Sequence, residues 1–343
     1  MVHVVSSPYL KKRIYASLLA DGGLIQPKPN VSNIFFQFTQ AANIISKTGE
    51  SHLEYACWFL GQMDPEILTP APFSLERGLA VQSPQKDALI FTWKARVTLW
   101  NLDFFAEAFA DNYNGFSEDI SRTDEFIKFT SRGSLSFFLQ ENFAEEETVT
   151  NAMSQDETPD QEIDNFGIFE ESLDIQENFS EETNSVSLDS NSSSNVPARK
   201  QKNLPPYNKL KNDYLADPGF SIAHMHMQDG DLYIINNSVR IPRLFIQTTE
   251  PIPTLYLSKA IYEASGLKYL PITYHYTTKK SPLVTVLYLC PSSVNLFVEL
   301  MEKHMLPCME YKNPARLNME SPAIVSVLND FDTRFEDFAR KFF

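Results

Sequence analysis

The spacing of apolar positions in the first 140 residues predicts a mixture of helices and strands. Leu10 to Leu19 has the three-to-four-residue period of an amphipathic helix, which the pair Gly22-Gly23 would end. Ser32 is a candidate N-cap for a second helix through Ile45. Residues 88–100 alternate between apolar and polar, which is typical of a half-buried strand, and Asp103 begins a predicted helix over 104–109. Further strands are predicted at Phe126-Ile-Lys-Phe and Leu135-Ser-Phe-Phe-Leu, and no internal repeat is visible in this lobe.

The last 138 residues predict a strand-rich domain that ends in helices. The predicted strands are Ser221 to Met227, Asp231 to Asn236, Arg243 to Thr248, Tyr269 to Tyr276 and Val284 to Leu289. The turn-forming sequence Gln228-Asp229-Gly230 separates the first two of them. Helices are predicted over Thr254 to Ser265, from Ser292 or Ser293 to about His304, and over Ser321 to Phe343.

These elements predict an α+β protein with two mixed lobes, 1–140 and 206–343, joined by a disordered acidic linker over 141–205. The C-terminal lobe would be a β-meander with helices packed on one face. Between Gly133 and Ala198 the chain has no Lys or Arg, and 16 acidic residues from Glu141 to Asp189 account for the whole net charge of −15. The rest of the 343-residue chain is close to neutral, so composition predicts neither a basic nucleic-acid surface nor an acidic face on the lobes.

A short apolar motif interrupts the acidic linker. It contains Phe166, Ile168, Phe169, Leu173 and Ile175, with the phenylalanines and Leu173 at helical spacing. This pattern predicts a peptide that folds into the groove of a partner protein, and the alternative is a linker with incidental hydrophobic residues. The basic cluster that follows the linker motif, Arg199, Lys200 and Lys202, is a candidate nuclear-import signal or phosphate contact or, alternatively, a solvated flank.

Candidate catalytic and metal-binding residues are few. His224 and His226 would lie on one face of a strand, but with no third ligand nearby they do not predict a metal site. His52 and Cys57 are close in sequence only, and three widely spaced cysteines form neither a disulfide framework nor a zinc set. Cys290 is the remaining candidate, because it ends the strand Val284-Thr-Val-Leu-Tyr-Leu just before a helix start, where backbone N–H groups can lower a thiol pKa.

The order of elements around Cys290 carries a resemblance. Asp231-Leu-Tyr-Ile, Ile241-Pro-Arg-Leu-Phe-Ile, the helix of Leu255 to Ala264 and Val286-Leu-Tyr-Leu-Cys290 resemble the ubiquitin-conjugating-type enzymes of the autophagy lipidation pathways. Tyr288-Leu289 stands where that family has His-Pro. The resemblance implies that Cys290 carries a ubiquitin-like protein as a thioester.

The features that are missing favour a different role. The sequence has no glycine-rich phosphate loop, metal set or triad spacing, and aromatic residues make up 13% of it. We therefore expect a non-catalytic protein-interaction subunit of a larger intracellular eukaryotic assembly, with the conjugating enzyme as the alternative. Other protein subunits are the expected partners, whereas cofactors, metals, small-molecule substrates and nucleic acid are not expected. The sequence has no apolar run of about 18 residues, so we expect no membrane span. The expected compartment is the nucleus or the cytoplasm, with the nucleus slightly favoured.

Overall fold

The structure is a computed structural model of the chain that describes part of its length. The described residues are 8–26, 34–41, 47–63, 68–82, 89–99, 102–113, 122–131, 204–235, 239–245, 252–275, 283–319 and 322–343. Almost the whole predicted linker lies outside them. The predicted linker motif, Phe166 to Ile175, and the cluster Arg199 to Lys202 therefore stay predictions.

The first half of the fold alternates helices with pairs of antiparallel strands. Its elements are α1 (Pro8–Leu18), β1 (Gly22–Ile25), β2 (Phe35–Ala41), α2 (Lys47–Gly61), β3 (Leu68–Gln82), β4 (Leu89–Leu99), α3 (Phe105–Tyr113) and α4 (Thr123–Thr130). The four strands form one sheet in the order β1-β2-β4-β3. All of its neighbouring strands are antiparallel.

The second half begins after a short helical segment, 207–214, and repeats this order. Its elements are α5 (Pro218–Asp229), β5 (Gly230–Ile235), β6 (Val239–Phe245), α6 (Ile252–Ser265), β7 (Tyr269–His275), β8 (Leu283–Leu289), α7 (Val294–Met301) and α8 (Pro322–Phe342). Short 3-10 turns at Pro291–Ser293 and Pro307–Lys312 flank α7. The sheet order is β5-β6-β8-β7, again antiparallel throughout.

The two halves therefore share one topology: helix, two strands, helix, two strands, helix. The sequence did not predict this repeat, which lies in the path of the chain and in the residues shows itself at the pairs Asp21-Gly22 and Asp229-Gly230. Helix α1 packs directly against α5, so the first helix of each half meets its counterpart. Buried residues of both halves belong to one hydrophobic core. The predicted boundaries at 140 and 205 remain predictions.

Segments near the predicted linker also pack across the halves. The ring of Tyr214 stacks on Tyr15 of α1 with centroids 4.2 Å apart. Helix α4 contacts the second sheet, where Thr130 Oγ1 is 2.8 Å from Thr273 Oγ1. The two lobes are in contact through these elements as well as through α1 and α5.

The α+β class is confirmed, but three element types were predicted wrongly. Ser221 to Met227 lies inside helix α5, which Asp217 caps by accepting from the Phe220 N–H and which has Pro218 at its first position. Every residue from Gly219 to Gln228 is buried, so no polar face marks its helical period.

The other two corrections lie in the first half. Phe35 to Ala41 is a strand and not part of a helix from Ser32, since Phe36 and Phe38 are buried while Gln37 and Thr39 are half-buried, which is the two-residue period of a sheet. Phe126 to Phe129 lies in helix α4 and not in a strand.

Among the described residues, none of the helices has the length and apolarity that crossing a membrane requires.

Candidate functional site

Each half contains an Asp-Gly junction between its first helix and its first strand. Asp21 follows α1 and precedes Gly22, the first residue of β1. Asp229 is the last residue of α5 and precedes Gly230, the first residue of β5. The same two residues therefore occupy the same topological position twice.

Close packing of each strand on its own helix requires the two glycines. A Cβ atom on Gly22 would lie 2.6 Å from the Ser17 carbonyl oxygen, and one on Gly230 would lie 2.6 Å from the His226 carbonyl oxygen. Both distances are well inside van der Waals contact, so any larger residue would push the strand off the helix. The glycines thereby fix the position of the aspartate that precedes each of them.

A buried network of polar side chains connects the two helices near these junctions. Gln228 Nε2 donates to Ser17 Oγ at 2.8 Å and to Tyr55 OH at 2.9 Å. The Tyr55 hydroxyl is also 2.9 Å from His224 Nδ1. Because Ser17 belongs to α1, Tyr55 to α2 and Gln228 to α5, the network fixes the C-terminal end of α5 against the first half.

Asp21 is held by a buried amide. Gln40 of β2 is 1% exposed, and its Nε2 donates to Asp21 Oδ2. The Oε1 atoms of Gln40 and Gln228 are buried and have no hydrogen-bond partner among the described residues. Each of these two amide oxygens can therefore still accept a hydrogen bond or contact a cation.

Lys312 places a buried ammonium group beside the two junctions. Its Nζ donates to the carbonyl oxygens of Met227 at 2.9 Å and Gln228 at 3.3 Å, which satisfies carbonyls in the last turn of α5. Burial lowers the pKa of Lys312 to about 8, although the negative charges of Asp231, Asp21 and Asp229 oppose this shift.

The chemistry of this centre suits a hard divalent cation that is completed by a substrate. Carboxylate and amide oxygens are the ligands that Mg²⁺ prefers, and Mg²⁺ is often held by one or two carboxylates plus water and phosphate oxygens. In the described part of the chain, no group of three or more His, Cys, Asp or Glu side chains could hold a metal by itself. Asp21 and Asp229 fit a shared cation only if other ligands complete its coordination.

One face of the first sheet extends from this centre and carries polar side chains, one of them the cationic Arg96. Gly23 pairs with Gln37, Gln37 pairs with Thr98, and Thr39 pairs with Arg96. The side chains of Gln37, Thr39, Arg96 and Thr98 are half-buried, opposite the face that buries Phe36. Amide, hydroxyl and guanidinium groups arranged in this way suit hydrogen bonding to polar edges of a ligand.

The corresponding face of the second sheet has a different character. Arg243 forms two hydrogen bonds with Asp231, at 2.5 and 2.7 Å, and its guanidinium lies 5.2 Å from the ring centroid of Tyr233 and 4.8 Å from that of Phe245. Burial lowers the pKa of Arg243, but the hydrogen bonds to Asp231 and its negative charge act against burial, and the net effect is a raised pKa. The two sheet faces are therefore chemically unequal.

His224 and His226, the pair considered as metal ligands, are part of the protein interior. Both lie on α5 and are buried, with His226 Nε2 2.8 Å from the Lys312 carbonyl oxygen. Burial lowers the pKa of His224 to about 3 and that of His226 to about 4, so both are neutral at pH 7.

Cys290 is completely buried. Its side chain is 0% exposed, its Sγ lies 3.8 Å from the Phe331 carbonyl oxygen, and burial raises its thiol pKa well above the ordinary value. A buried, protonated thiol is a poor nucleophile. The helix start that was expected to activate Cys290 is instead packed under α8.

No family model matches the chain, and no curated protein matches it. Among solved structures, it is similar to the homing endonuclease I-WcaI bound to its DNA recognition sequence, with 12% identity, a TM-score of 0.46, and coverage of 91% of this chain and 88% of that one. It is also similar to the LAGLIDADG meganuclease I-AabMI bound to uncleaved DNA, with 11% identity, a TM-score of 0.30, and coverage of 98% and 96%.

These similarities contradict three expectations from the sequence. The solved structures are DNA-bound endonucleases, so the expected resemblance to ubiquitin-conjugating-type enzymes with a thioester on Cys290 was wrong. The expected role as a non-catalytic protein-interaction subunit and the expectation that nucleic acid is not a partner are corrected by the same finding.

Sequence reasoning missed the residues of the Asp-Gly centre. Gly22-Gly23 was interpreted as a helix stop and Gln228-Asp229-Gly230 as a hairpin turn. A usable signal was the recurrence of Asp-Gly itself: Asp21-Gly22 follows the apolar run Leu18-Leu19-Ala20, and Asp229-Gly230 follows Met225-His-Met-Gln. For Gln40 and Lys312 the local sequence gives no such signal.

Proposed function

We propose that this protein binds a nucleic-acid duplex and hydrolyses a phosphodiester bond at the Asp21–Asp229 centre. The observation that carries the proposal is that the two equivalent Asp-Gly junctions follow helices that pack together, α1 and α5, which the Gln228–Ser17 hydrogen bond joins, and that both aspartates act on the charge of Lys312. One carboxylate comes from each half, so the centre exists only in the folded chain.

The repeated fold and the polar sheet face support the proposal that the ligand is a nucleic-acid duplex. The two strands of a duplex are related by an approximate two-fold axis, and a protein with two equivalent halves can present one half to each strand. Gln37, Thr39, Arg96 and Thr98 offer the donors and acceptors that recognise base edges and phosphates. The DNA named for the two similar structures belongs to those proteins, and its transfer to this chain is part of the proposal.

The roles of the residues follow from their charges and contacts. Asp21 and Asp229 would hold a divalent cation, which polarises a phosphoryl oxygen and lowers the pKa of a bound water. Gln40 fixes the rotamer of Asp21 through its amide N–H. Lys312, which stays largely protonated at pH 7, offsets the charge of the two carboxylates and of an incoming phosphate.

The first test is selection of sequences from a random duplex library, followed by cleavage of the selected duplex with Mg²⁺. We expect Asp21→Asn and Asp229→Asn each to reduce cleavage by about 100-fold or more while duplex affinity changes by only a few-fold, because the carboxylates act on the reaction and not on recognition. Asp330→Asn removes an exposed acid of α8 and is the matched control. Failure to select any duplex, or equal cleavage by all three variants, would refute the proposal.

Binding without hydrolysis is a second candidate, because Asp21 already accepts a hydrogen bond from Gln40 and an ammonium group lies beside both carboxylates. These contacts compete with a cation for the carboxylate oxygens. In that case the library would yield a bound duplex whose affinity falls steeply with salt, while wild type and Asp21→Asn would leave it equally intact.

A further inference from the structure

The strand pairing of the two sheets matches their positions one to one. Gly22 pairs with Phe38 in the first sheet, and its counterpart Gly230 pairs with Leu244 in the second. The next strand continues both registers, through the pairs Phe38–Val97 and Leu244–Leu287. Each position on the polar face of the first sheet that these pairings reach therefore has a defined counterpart on the second sheet.

Five polar residues of the first sheet can be compared in this way. With their counterparts they are Gln37 and Arg243, Thr39 and Phe245, Ser74 and Ile272, Arg96 and Val286, and Thr98 and Tyr288. All five residues of the first sheet are half-buried, so part of each side chain reaches the surface. At three of the five positions the second sheet has Phe, Ile or Val, and Ile272 and Val286 are only 2% exposed. These side chains neither donate nor accept a hydrogen bond, so the second sheet presents no polar side chain at these three positions.

The remaining two counterparts are polar but bond within the protein. Arg243 Nε and Nη2 donate to the two carboxylate oxygens of Asp231 at 2.5 and 2.7 Å, and its Nη1 donates to the Tyr288 hydroxyl at 3.4 Å. The Tyr288 hydroxyl also lies 2.5 Å from that of Tyr274, and Tyr288 is 1% exposed. A base would have to displace these partners before it could bond to Arg243 or Tyr288, so both are poorly suited to distinguish bases.

From this inequality we propose that the protein reads base sequence with the first sheet and holds the other half of the duplex with little discrimination between bases. This inference rests on the proposed function, in which each half of the protein meets one half-site of the duplex. Base pairs are distinguished by the hydrogen-bond donors and acceptors at their edges, and the polar side chains of the first sheet supply the complementary groups. The second sheet supplies an apolar, aromatic surface for contact and shape.

The size of the difference follows from the value of base contacts. A wrong base pair at a contacted position typically weakens specific binding by about 5-fold to 150-fold. We expect penalties of this size in the half-site over the first sheet. Contacts to phosphates do not depend on sequence, so we expect penalties of roughly 3-fold or less in the half-site over the second sheet.

Binding of single base-pair variants of the selected duplex tests the inference. The dissociation constant is measured by fluorescence anisotropy for every single substitution across the site, at fixed salt and with EDTA so that nothing is cleaved. Large penalties should fall in one half-site only. Gln37→Ala should abolish the penalties at one or two base pairs of that half-site, which identifies it as the one over the first sheet, because an amide side chain discriminates adenine by two hydrogen bonds.

Two variants that each remove one hydroxyl group from equivalent positions provide a matched comparison. Thr98→Val takes the group from the first sheet and should reduce discrimination at one base pair by about 5-fold or more. Tyr288→Phe takes it from the second sheet and should leave the pattern of penalties unchanged, because that hydroxyl is bonded to Tyr274 and Arg243. Circular dichroism establishes whether each variant is folded, and the wild-type pattern requires no variant.

Penalties of equal size in both half-sites would overturn the one-sided reading and leave duplex binding intact. The same conclusion would follow if the half-site with large penalties responded to Tyr288→Phe and not to Gln37→Ala or Thr98→Val. A random library that yields no bound duplex would overturn both the inference and the proposed function.

Discussion

Lys312 makes a quantitative prediction about stability because its side chain is only 6% exposed, so water hydrates its ammonium group poorly. Its pKa is lowered by burial from 10.5 to about 8. Between these two values the unfolded chain binds more protons than the folded one, so the free energy of unfolding should rise with pH across the window. Below pH 8 both states are protonated and the buried charge costs its full amount.

The magnitude follows from the width of that window. A gap of about 2.5 pH units, at about 1.4 kcal/mol per unit, gives a gain of roughly 3 kcal/mol between pH 8 and pH 10.5. Lys312→Met removes the titrating group, so its free energy of unfolding should lack this rise. Buried tyrosines such as Tyr55, whose pKa is raised by burial, act in both proteins and cancel in the difference.

Urea unfolding, followed by tryptophan fluorescence at half-unit steps from pH 7.5 to pH 10, measures the effect. The difference in unfolding free energy between wild type and Lys312→Met should shift by about 2 kcal/mol or more in favour of the wild type over this range. Lys303→Met, an exposed lysine, is the control and should follow the wild type. If the free energies of unfolding of Lys312→Met and the wild type change with pH in parallel, the assignment of a buried cation at Lys312 is refuted.

Two further predictions concern packing and reactivity. Gly230→Ala should lower the free energy of unfolding by about 1–3 kcal/mol, because the added Cβ would lie 2.6 Å from the His226 carbonyl oxygen. Gly61→Ala has open space around its Cβ and should be neutral in the same urea titration, so an equal loss in both would contradict the packing explanation. Iodoacetamide should label the exposed Cys57 in the native protein and label Cys290 only after unfolding, as peptide mass spectrometry would detect; rapid native labelling of Cys290 would contradict its burial.

The fold was predictable wherever the apolar residues of an element recur with its own period in the sequence. Helix α1, strand β4 and helix α6 were predicted near their observed positions, because their sequences carry the helical or the two-residue spacing of apolar residues. Helix α5 was mistaken for a strand because it is buried on all sides, and the alternation in His-Met-His-Met then has no relation to exposure. Local pattern fails where tertiary packing surrounds an element.

The sequence by itself determined the α+β class, most element positions in the second half and the concentration of charge in 141–189. It also contains both Asp-Gly pairs, but 207 residues separate Asp21 from Asp229, and no local rule joins them. Only the packing of α1 on α5 brings the two junctions together, and only the path of the chain after α7 places Lys312 beside them. Contacts between distant residues depend on which helix faces meet, and that is a property of the assembled core.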